Sequence, residues 1–206
     1  MTMKKKVTLY QSKPGYDLVS SVYDTKENYL NSFEKRKLIP LLGEINNKKI
    51  LDVGAGTGRI SIQLAKHGGH VTSVDISSEM LNVLKNKAKH LSIETLVGDA
   101  ESLPCTDSSF DIVVAAFLIV HLKNPKHFFN EVYRVLKDGG IFLVTNINQK
   151  NPPMIETPKG GVIIKSFYHR PDHIRTNLED QAFAIEHEDM ILENNVWINQ
   201  IILARK

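Results

Sequence analysis

The sequence predicts an α/β fold organised around a mostly parallel sheet. Short apolar runs rich in β-branched residues alternate with longer runs at helical spacing, which is the pattern of successive βαβ units. The last two apolar runs are separated only by Asn194 and Asn195, a dipeptide typical of tight hairpins. We therefore expect the parallel sheet to end in an antiparallel pair. A chain of 206 residues suits one such domain better than two.

Five strands are expected before the hairpin, each bounded by glycine, aspartate or a polar loop. They are predicted at Lys49–Val53, His70–Asp75, Ile93–Asp99, Phe110–Phe117 and Gly140–Ile147. The "KDGG" segment before the fifth strand is expected to be a turn. The hairpin strands are expected at Ala184–Glu193 and Val196–Lys206, and Val162–His169 is a further short strand candidate.

The helical segments follow from apolar spacing and from start and stop signals. Five are expected: one or two helices within Tyr16–Leu42, one from about Thr57 to His67, one capped by Ser77 or Ser78, one after Pro125, and one with Pro171 in its first turn. Asn148–Gly161 contains three prolines and is expected to be a long loop.

Composition excludes several classes of protein. The net charge is +3, with 26 Lys and Arg against 23 Asp and Glu, which is too weakly basic to favour nucleic acid. The compact run Lys4–Lys6 is expected to be a solvated tail. The single cysteine, Cys105, excludes an internal disulfide and a cysteine-based metal cluster. Without a secretory leader or an apolar run near 20 residues, a cytoplasmic protein with no membrane partner is expected.

A glycine-rich loop follows the first predicted strand. Gly54, Gly56 and Gly58 allow a tight turn and a close backbone approach to a ligand, and the helix behind them offers free N–H groups. A dinucleotide fingerprint has the spacing G-x-G-x-x-G, but its last position here is Arg59. Asp52 lies two residues before the first glycine. A carboxylate there disfavours a pyrophosphate and suits a ligand with a positive charge, such as an amino-acid ammonium group.

Two further acids end the next two predicted strands. Asp75 ends the second strand, where a carboxylate can bond both hydroxyls of a ribose. Ile76 and Met80 nearby can pack on an adenine face. Asp99 ends the third strand, at a position suited to accept a hydrogen bond from an adenine amino group. Three acids at three successive strand ends indicate a nucleoside site on one rim of the sheet.

At this point the sequence resembles the class I S-adenosylmethionine-dependent methyltransferases, in particular domains of the methyltransferase 11 and 25 type. The segments "LDVGAGTGRISIQLA", "VTSVDISSEML", "GDAESLP", "FDIVVAAFLIVHL" and "EVYRVLKDGGIFLVT" look like this family's successive motifs, in order, over about Lys48 to Asn146. The resemblance implies a Rossmann-like three-layer α/β/α sandwich. Its seven-stranded, mostly parallel sheet would end in a C-terminal antiparallel hairpin.

The resemblance also implies a division of the chain and a role for each motif. Residues 1–47 would form a helical cap over the cofactor, 48–146 the cofactor-binding core, and 147–206 a substrate-side loop, helix and hairpin of the same single domain. Asp52 and the glycine loop would hold the methionine part, Asp75 the ribose, Asp99 and Ala100 the adenine, and Phe117 would line the site. The implied cofactor residues are Asp52, Gly54, Ala55, Gly56, Gly58, Asp75, Ile76, Met80, Asp99, Ala100 and Phe117.

The methyl group of S-adenosylmethionine is already electrophilic, so a base is needed only if the acceptor begins protonated. His121, just past the fourth strand, is the candidate base; packing of a loop is the alternative. Substrate contacts are expected from Tyr16 in the cap and from Tyr168, His169 and Arg170 after the fifth strand. No metal site is expected, because Pro171 interrupts the pair His169 and His173.

The predicted function is therefore transfer of the sulfonium methyl of S-adenosylmethionine to oxygen or nitrogen of a small molecule, with S-adenosylhomocysteine as product. One alternative is methylation of RNA or protein, although no "NPPY"-like motif follows the fourth strand. A second is a nicotinamide-dependent oxidoreductase, which Arg59 disfavours. A third is a non-catalytic binding partner that keeps the cofactor site. The sequence leaves the oligomeric state and the acceptor open.

Overall fold

The computed structural model describes residues 6–34, 36–158 and 160–206, and it contains a central seven-stranded sheet. Lys4 and Lys5 of the predicted basic tail lie outside these ranges. The strands of the molecule are β1 Val7–Tyr10, β2 Lys49–Val53, β3 His70–Asp75, β4 Ile93–Val97, β5 Phe110–Ala115, β6 Leu136–Ile147, β7 Met154–Thr157, β8 Gly160–Ile164, β9 Ala184–Glu193 and β10 Val196–Arg205. The order in the large sheet is β4-β3-β2-β5-β6-β10-β9.

The order of the strands indicates where a ligand site is expected on the large sheet. β2 pairs in parallel with β3 on one side and with β5 on the other, so the direction of winding reverses between β2 and β5. In sheets of this kind, ligands bind beyond the carboxyl ends of the strands at such a reversal. The antiparallel end of the sheet is also confirmed: β10 pairs antiparallel with both β6 and β9. Asn194 and Asn195 both have positive φ, at 49° and 62°, as a type I′ hairpin turn requires.

Helices cover both faces of the sheet. The helices are α1 Ser12–Tyr23, α2 Glu27–Glu34, α3 Leu38–Leu41, α4 Ser61–Lys66, α5 Ser78–Lys87, α6 Lys126–Val135 and α7 Pro171–Asp180, with short 3-10 turns at Asp24–Lys26 and Ile119–His121. Leu51 and Val113 pack with α6 and α7 on one face, whereas Ile50 and Ile112 pack with α3 and α4 on the other. This alternation along each strand confirms the three-layer Rossmann-like sandwich. Among the described helices, none combines the length and apolar character needed to cross a membrane.

Several predicted boundaries are wrong. The helix expected from Thr57 begins at Ser61, because turns built on the glycine loop occupy residues 54–60. The third and fourth strands end at Val97 and Ala115. The expected "KDGG" turn lies inside β6, at a register irregularity against β5, and Gly139 there has a φ of +74°.

The largest correction is a second, three-stranded sheet. The expected loop Asn148–Gly161 contains β7 and the start of β8, and β8 pairs in parallel with β1, a strand that the sequence analysis missed. On the inner face of this small sheet, Ile155, Val162 and Ile164 pack against Val19 of α1 and against Met80. The predicted N-terminal helical cap is therefore a mixed α and β cap, formed by α1, α2 and the small sheet.

Candidate active site

The glycine loop joins β2 to α4 at the reversal of the sheet. Gly54 and Gly56 have φ of +72° and +56°, a region that favours glycine. The N–H groups of Gly54 and Ala55 both donate to the carbonyl of Val74, at 2.8 and 3.1 Å, which fixes the loop to β3. A Cβ built on Gly56 meets no atom within 4 Å. The loop thus presents open space beside its backbone, where a ligand can approach closely.

Gly58 is not brought into this space. It lies behind the loop, with a φ of +90°, and a Cβ there would stand 2.1 Å from Leu84 Cδ1 of α5. Gly58 lines neither of the cavities that Gly54 and Gly56 share. Its observed role is close packing of the loop against α5.

A cavity, here called the main cavity, opens beyond the carboxyl ends of β2, β3, β4 and β5. It brings together residues from the glycine loop after β2, from the ends of β3, β4 and β5, and from the cap. The predicted site residues on its wall are Tyr16, Gly54, Gly56, Asp75, Ile76, Met80, Asp99, Ala100, Phe117 and His121. The wall therefore combines the carboxylates of Asp75, Asp99 and Glu101 with apolar surfaces, a lining that suits an adenosine.

Asp75 is held by the main chain on both of its carboxylate oxygens. The Gly56 N–H donates to Oδ2 and the Ser77 N–H donates to Oδ1, each at 2.8 Å. Burial raises the pKa of Asp75, and these two hydrogen bonds oppose the rise. Asp99, which also lines the main cavity, accepts from the Glu101 N–H at 2.9 Å. Both acids are thus oriented before any ligand binds.

A smaller cavity, here called the small cavity, lies behind the main one. Asp52 and Arg59 both line it, together with Tyr23, Gly54 and Phe117. The Asp52 carboxylate is buried and accepts from Ser61 Oγ at 2.5 Å. Burial raises the pKa of Asp52 to about 6, so this acid can ionise near neutral pH and would gain from a cationic ligand.

Arg59 is a functional candidate that the sequence analysis missed. There it served only to show that the last glycine of a dinucleotide fingerprint is absent. Its guanidinium makes two hydrogen bonds to the buried Glu34 of α2, at 2.5 and 2.8 Å. It also lies 5.5 Å from the centroid of the Phe117 ring. A carboxylate and a guanidinium on one wall suit a zwitterion, the form of a free amino-acid end.

Phe117 separates three cavities. It has a φ of +61°, which is uncommon for a bulky side chain and typical of functional sites. Its N–H donates to Thr145 Oγ1 at 2.9 Å, and its ring packs edge-on against Phe33. Phe117 lines the main cavity, the small cavity and a third one between the cap and the sheet.

The third cavity, here called the apolar cavity, has a volume of about 360 Å³, within the range of small-molecule pockets. Aromatic and aliphatic side chains from the cap and from β6 and β7 form most of its wall. Its lining residues are Tyr16, Tyr23, Thr25, Tyr29, Leu30, Phe33, Phe117, Val120, His121, Ile147, Gln149, Pro153, Ile155 and Ile164. Four of these, Tyr16, Tyr23, Phe117 and His121, also line the main cavity, so they form a wall that the two cavities share.

His121 and Tyr16 are joined within this shared wall. His121 Nδ1 lies 3.1 Å from the carbonyl oxygen of Lys165, and His121 Nε2 lies 2.6 Å from the Tyr16 hydroxyl. Burial lowers the pKa of His121, and burial together with Tyr23 and Asp75 raises the pKa of Tyr16. Both groups are therefore neutral at neutral pH.

The other predicted substrate residues lie away from the cavities. Tyr168 packs on Trp197, and Arg170 pairs with Asp172 at the start of α7. His169 Nε2 bonds the carbonyls of Ile119 and Leu122, at 3.0 and 2.9 Å. His169 thus anchors the 3-10 turn that carries His121. Among the described residues, no group of three potential metal ligands occurs.

Comparison with known proteins agrees with this fold. A family model described as a methyltransferase domain matches residues 51–144. A demethylmenaquinone methyltransferase of Clavibacter sepedonicus is 34% identical over 157 residues, which is 69% of this chain and 62% of that protein. The chain thus spans about three fifths of the length of this relative.

Solved structures extend the similarity. A S-adenosylmethionine-dependent methyltransferase of Methanosarcina mazei is 26% identical with a TM-score of 0.67, over 81% of this chain and 97% of that one. A second, from Mesorhizobium loti, is 19% identical with a TM-score of 0.73, over 86% and 100%, and shows the same fold. The fold and the nucleoside-type site define a class I methyltransferase domain. The match over residues 51–144 and these structures support the class I S-adenosylmethionine-dependent methyltransferase family for this chain, and with it S-adenosylmethionine as cofactor.

Proposed function

We propose that this chain transfers the methyl group of S-adenosylmethionine to a small molecule held in the apolar cavity. The wall shared by the main and apolar cavities carries this proposal, because it separates a nucleoside-type site from a space of small-molecule size. Methyl transfer needs the acceptor held in line with the S–CH₃ bond and away from water. The cap supplies one side of both cavities and would thereby shield the transferred methyl group from water.

The proposed cofactor position follows the order of charges along the rim. The ammonium group of the methionine end would face Asp52, and its carboxylate would face Arg59 on the same small cavity. The adenosine would lie in the main cavity, with Asp75 at the ribose, and with Asp99, Ala100, Ile76 and Met80 around the adenine. Bound there, the cofactor supplies an electrophilic methyl group, and the protein's residues bind and orient both reactants.

A small acceptor is favoured over a macromolecule by the character of the apolar cavity. It is lined by aromatic and aliphatic side chains under the cap, whereas nucleic-acid sites are basic. The similarity to demethylmenaquinone methyltransferases supports an apolar small molecule. A nicotinamide dinucleotide is disfavoured because Asp52 lies on the cavity behind the glycine loop, where a pyrophosphate requires donors and cations.

The test uses calorimetry and labelled cofactor. S-adenosylhomocysteine should bind the purified chain and NAD should not. With methyl-labelled S-adenosylmethionine and a cell extract, the label should enter the small-molecule fraction and stay out of RNA and protein. Tight binding of NAD would contradict the cofactor site, and label only in RNA or protein would contradict the proposed acceptor class. Binding without label in any fraction would indicate a non-catalytic member of the family.

A further inference from the structure

The hydrogen bonds of His121 determine which of its nitrogens carries the proton. The Lys165 carbonyl oxygen, 3.1 Å from Nδ1, can only accept, so the hydrogen lies on Nδ1 of the neutral ring. Nε2 is then the acceptor, and the Tyr16 hydroxyl at 2.6 Å donates to it. Both ring nitrogens of His121 are engaged. A bound acceptor therefore meets His121 through Tyr16, whose ring stands edge-on to the imidazole at 5.2 Å between centroids.

The apolar cavity also restricts the charge of the acceptor. Among the described residues that line it, none is Asp, Glu, Lys or Arg, and its polar groups are hydroxyls, one amide and the neutral imidazole. Placing an unpaired charge in such surroundings is strongly unfavourable, because the charge loses its hydration without gaining a counter-charge. An ammonium or carboxylate acceptor would have no counter-charge there. A neutral acceptor with an exchangeable proton fits this wall, and the aromatic lining favours a ring.

We infer that Tyr16 and His121 form a proton relay that takes the proton from a neutral ring hydroxyl while that hydroxyl is methylated. This inference deepens the proposed function and rests on it. Tyr16, which lines both cavities, is the catalytic residue in contact with the acceptor. His121 receives the proton through Tyr16, and the Lys165 carbonyl holds the imidazole in the required tautomer.

The relay balances in atoms and charge. A lone pair of the acceptor oxygen forms the O–CH₃ bond, and the S–CH₃ bond breaks with its electron pair left on sulfur. The acceptor proton passes to the Tyr16 oxygen, and the proton of Tyr16 passes to His121 Nε2. The positive charge of the sulfonium thus ends on the imidazolium, which afterwards releases its proton to water. Tyr16 is unchanged over the cycle.

The first test needs no acceptor. Nitrogen NMR of the S-adenosylhomocysteine complex should show His121 protonated at Nδ1 and free of hydrogen at Nε2 at neutral pH, with its pKa below the usual value. The groups that face the pair are Tyr23 on α1, Asp75 at the end of β3, Asp99 and Glu101 beyond β4, and the Lys165 main chain. Tyr16→Phe should shift the Nε2 resonance, and His121→Gln assigns it. An imidazole protonated at Nε2 would overturn the relay.

The second test uses three probes of one shape, namely 2-naphthol, 2-naphthylamine and 2-naphthoate, with labelled S-adenosylmethionine. The label should enter 2-naphthol, and Tyr16→Phe and His121→Gln should each slow that transfer at least about tenfold, with an unchanged Kd for S-adenosylhomocysteine. The wild-type rate should fall as the pH drops through the pKa of His121, and Tyr16→Phe should lack this pH dependence. The matched control is Tyr10→Phe, because Tyr10 packs in the cap and lines neither cavity.

The outcomes separate the relay from the proposed function. Wild-type transfer to 2-naphthol with an unchanged rate in Tyr16→Phe would overturn the relay alone. Faster labelling of 2-naphthylamine or 2-naphthoate would overturn the acceptor class. The acceptor class would also be overturned if none of the three probes were labelled while the cell-extract screen succeeded. Failure of both the extract screen and the probes would contradict the proposed function itself.

Discussion

Asp52 and Arg59 illustrate what single residues contribute to this site. Opposite charges on one small wall suit an amino-acid end better than any uncharged ligand. Each is prepared by a partner from elsewhere in the chain: Ser61 donates to Asp52, and Glu34 of the cap pairs with Arg59. The cofactor's charged end is therefore expected to depend on both residues, and its adenosine on neither.

Replacement of Arg59 by lysine tests this division at the residue scale. Arg59→Lys keeps the charge but loses the two-pronged bond to Glu34, so the charge is no longer oriented toward the ligand. We expect S-adenosylhomocysteine to bind about tenfold or more weakly. The affinity of 5′-methylthioadenosine, which lacks the amino-acid end, should not change. Calorimetry with both ligands measures the difference, and an equal loss for both would indicate damage to the fold instead.

Asp52 should also make stability depend on pH. Its pKa of about 6 in the folded chain lies above the ordinary aspartate value of 3.8, so the folded state favours the protonated form. Stability should fall as pH rises from about 4 to about 6, by about 3 kcal/mol. Asp52→Asn should lack this fall and be the more stable protein at pH 7, although it binds cofactor more weakly. Urea unfolding of wild type and Asp52→Asn at pH 4 and at pH 7 measures this difference in stability.

A carboxylate with the opposite shift provides the control. The Lys137 ammonium beside Asp111, together with a main-chain hydrogen bond, offsets partial burial and holds the pKa of Asp111 below its usual value. Asp111→Asn should therefore lose stability relative to wild type as pH rises. If both variants changed stability in the same direction with pH, the assignment of the Asp52 shift would be wrong.

The elements around the site are positioned by close packing that tolerates little change. The glycine loop reaches the cavities because Gly58 allows α5 to approach its backbone. The shared wall forms because α1 crosses both the carboxyl ends of the large sheet and the small sheet of β1, β8 and β7. Neither cavity would have its present wall if one of these elements moved outward.

Gly58→Ala tests the packing of the loop. The new Cβ would meet Leu84 Cδ1 at 2.1 Å in a backbone conformation with φ of +90°. We expect a loss of about 3 kcal/mol or more in the free energy of unfolding. The control is Gly43→Ala, because Gly43 has a φ of +67° but nothing within 4 Å; its cost should stay near the backbone strain alone, about 1 kcal/mol. Equal costs for the two variants would contradict the packing role.

In the whole molecule, the contacts that hold the helices on the large sheet differ from those that hold the cap on the core. Large apolar clusters join the helices to both faces of the sheet. The cap is tied to the core by the apolar contacts of α1 with Met80 and by polar contacts, including Asp24 with Thr57 and Lys87, and Asp17 with Ser77. Polar contacts near the surface open at a lower free energy than apolar clusters. The cap is therefore the part expected to open for exchange of ligands.

Hydrogen exchange tests this expectation. Residues 12–34 should exchange faster than β2 and β5 in the free chain, and S-adenosylhomocysteine should slow them selectively. Asp24→Asn weakens two of these polar contacts and should speed exchange in this region, while the free energy of global unfolding in urea stays within about 0.5 kcal/mol of wild type. Uniform exchange across cap and sheet would contradict a separately opening cap.

The sequence by itself determined the large sheet and the positions of Asp52, Asp75 and Asp99 at its rim. Strand periodicity, glycine spacing and the Asn194–Asn195 turn are local signals, and the structure confirms the sheet that they predict. In a parallel sheet the carboxyl ends of the strands lie at one edge, so residues predicted at strand ends are also predicted to lie near one another. This explains why the main cavity contains most of the predicted cofactor residues.

Only the tertiary structure decided the small sheet, the apolar cavity and the pairing of Tyr16 with His121. These features join segments far apart in the chain, such as β1 with β8 and α1 with the turn after β5, and short strands in a proline-rich segment carry no periodic signal. Two residues illustrate this. Arg59 became a candidate site residue because Glu34 of the cap orients it, whereas Tyr168, a predicted substrate contact, packs on Trp197 outside the cavities. Long-range packing, which local patterns do not encode, determined the position of the apolar cavity, where we propose that the acceptor binds.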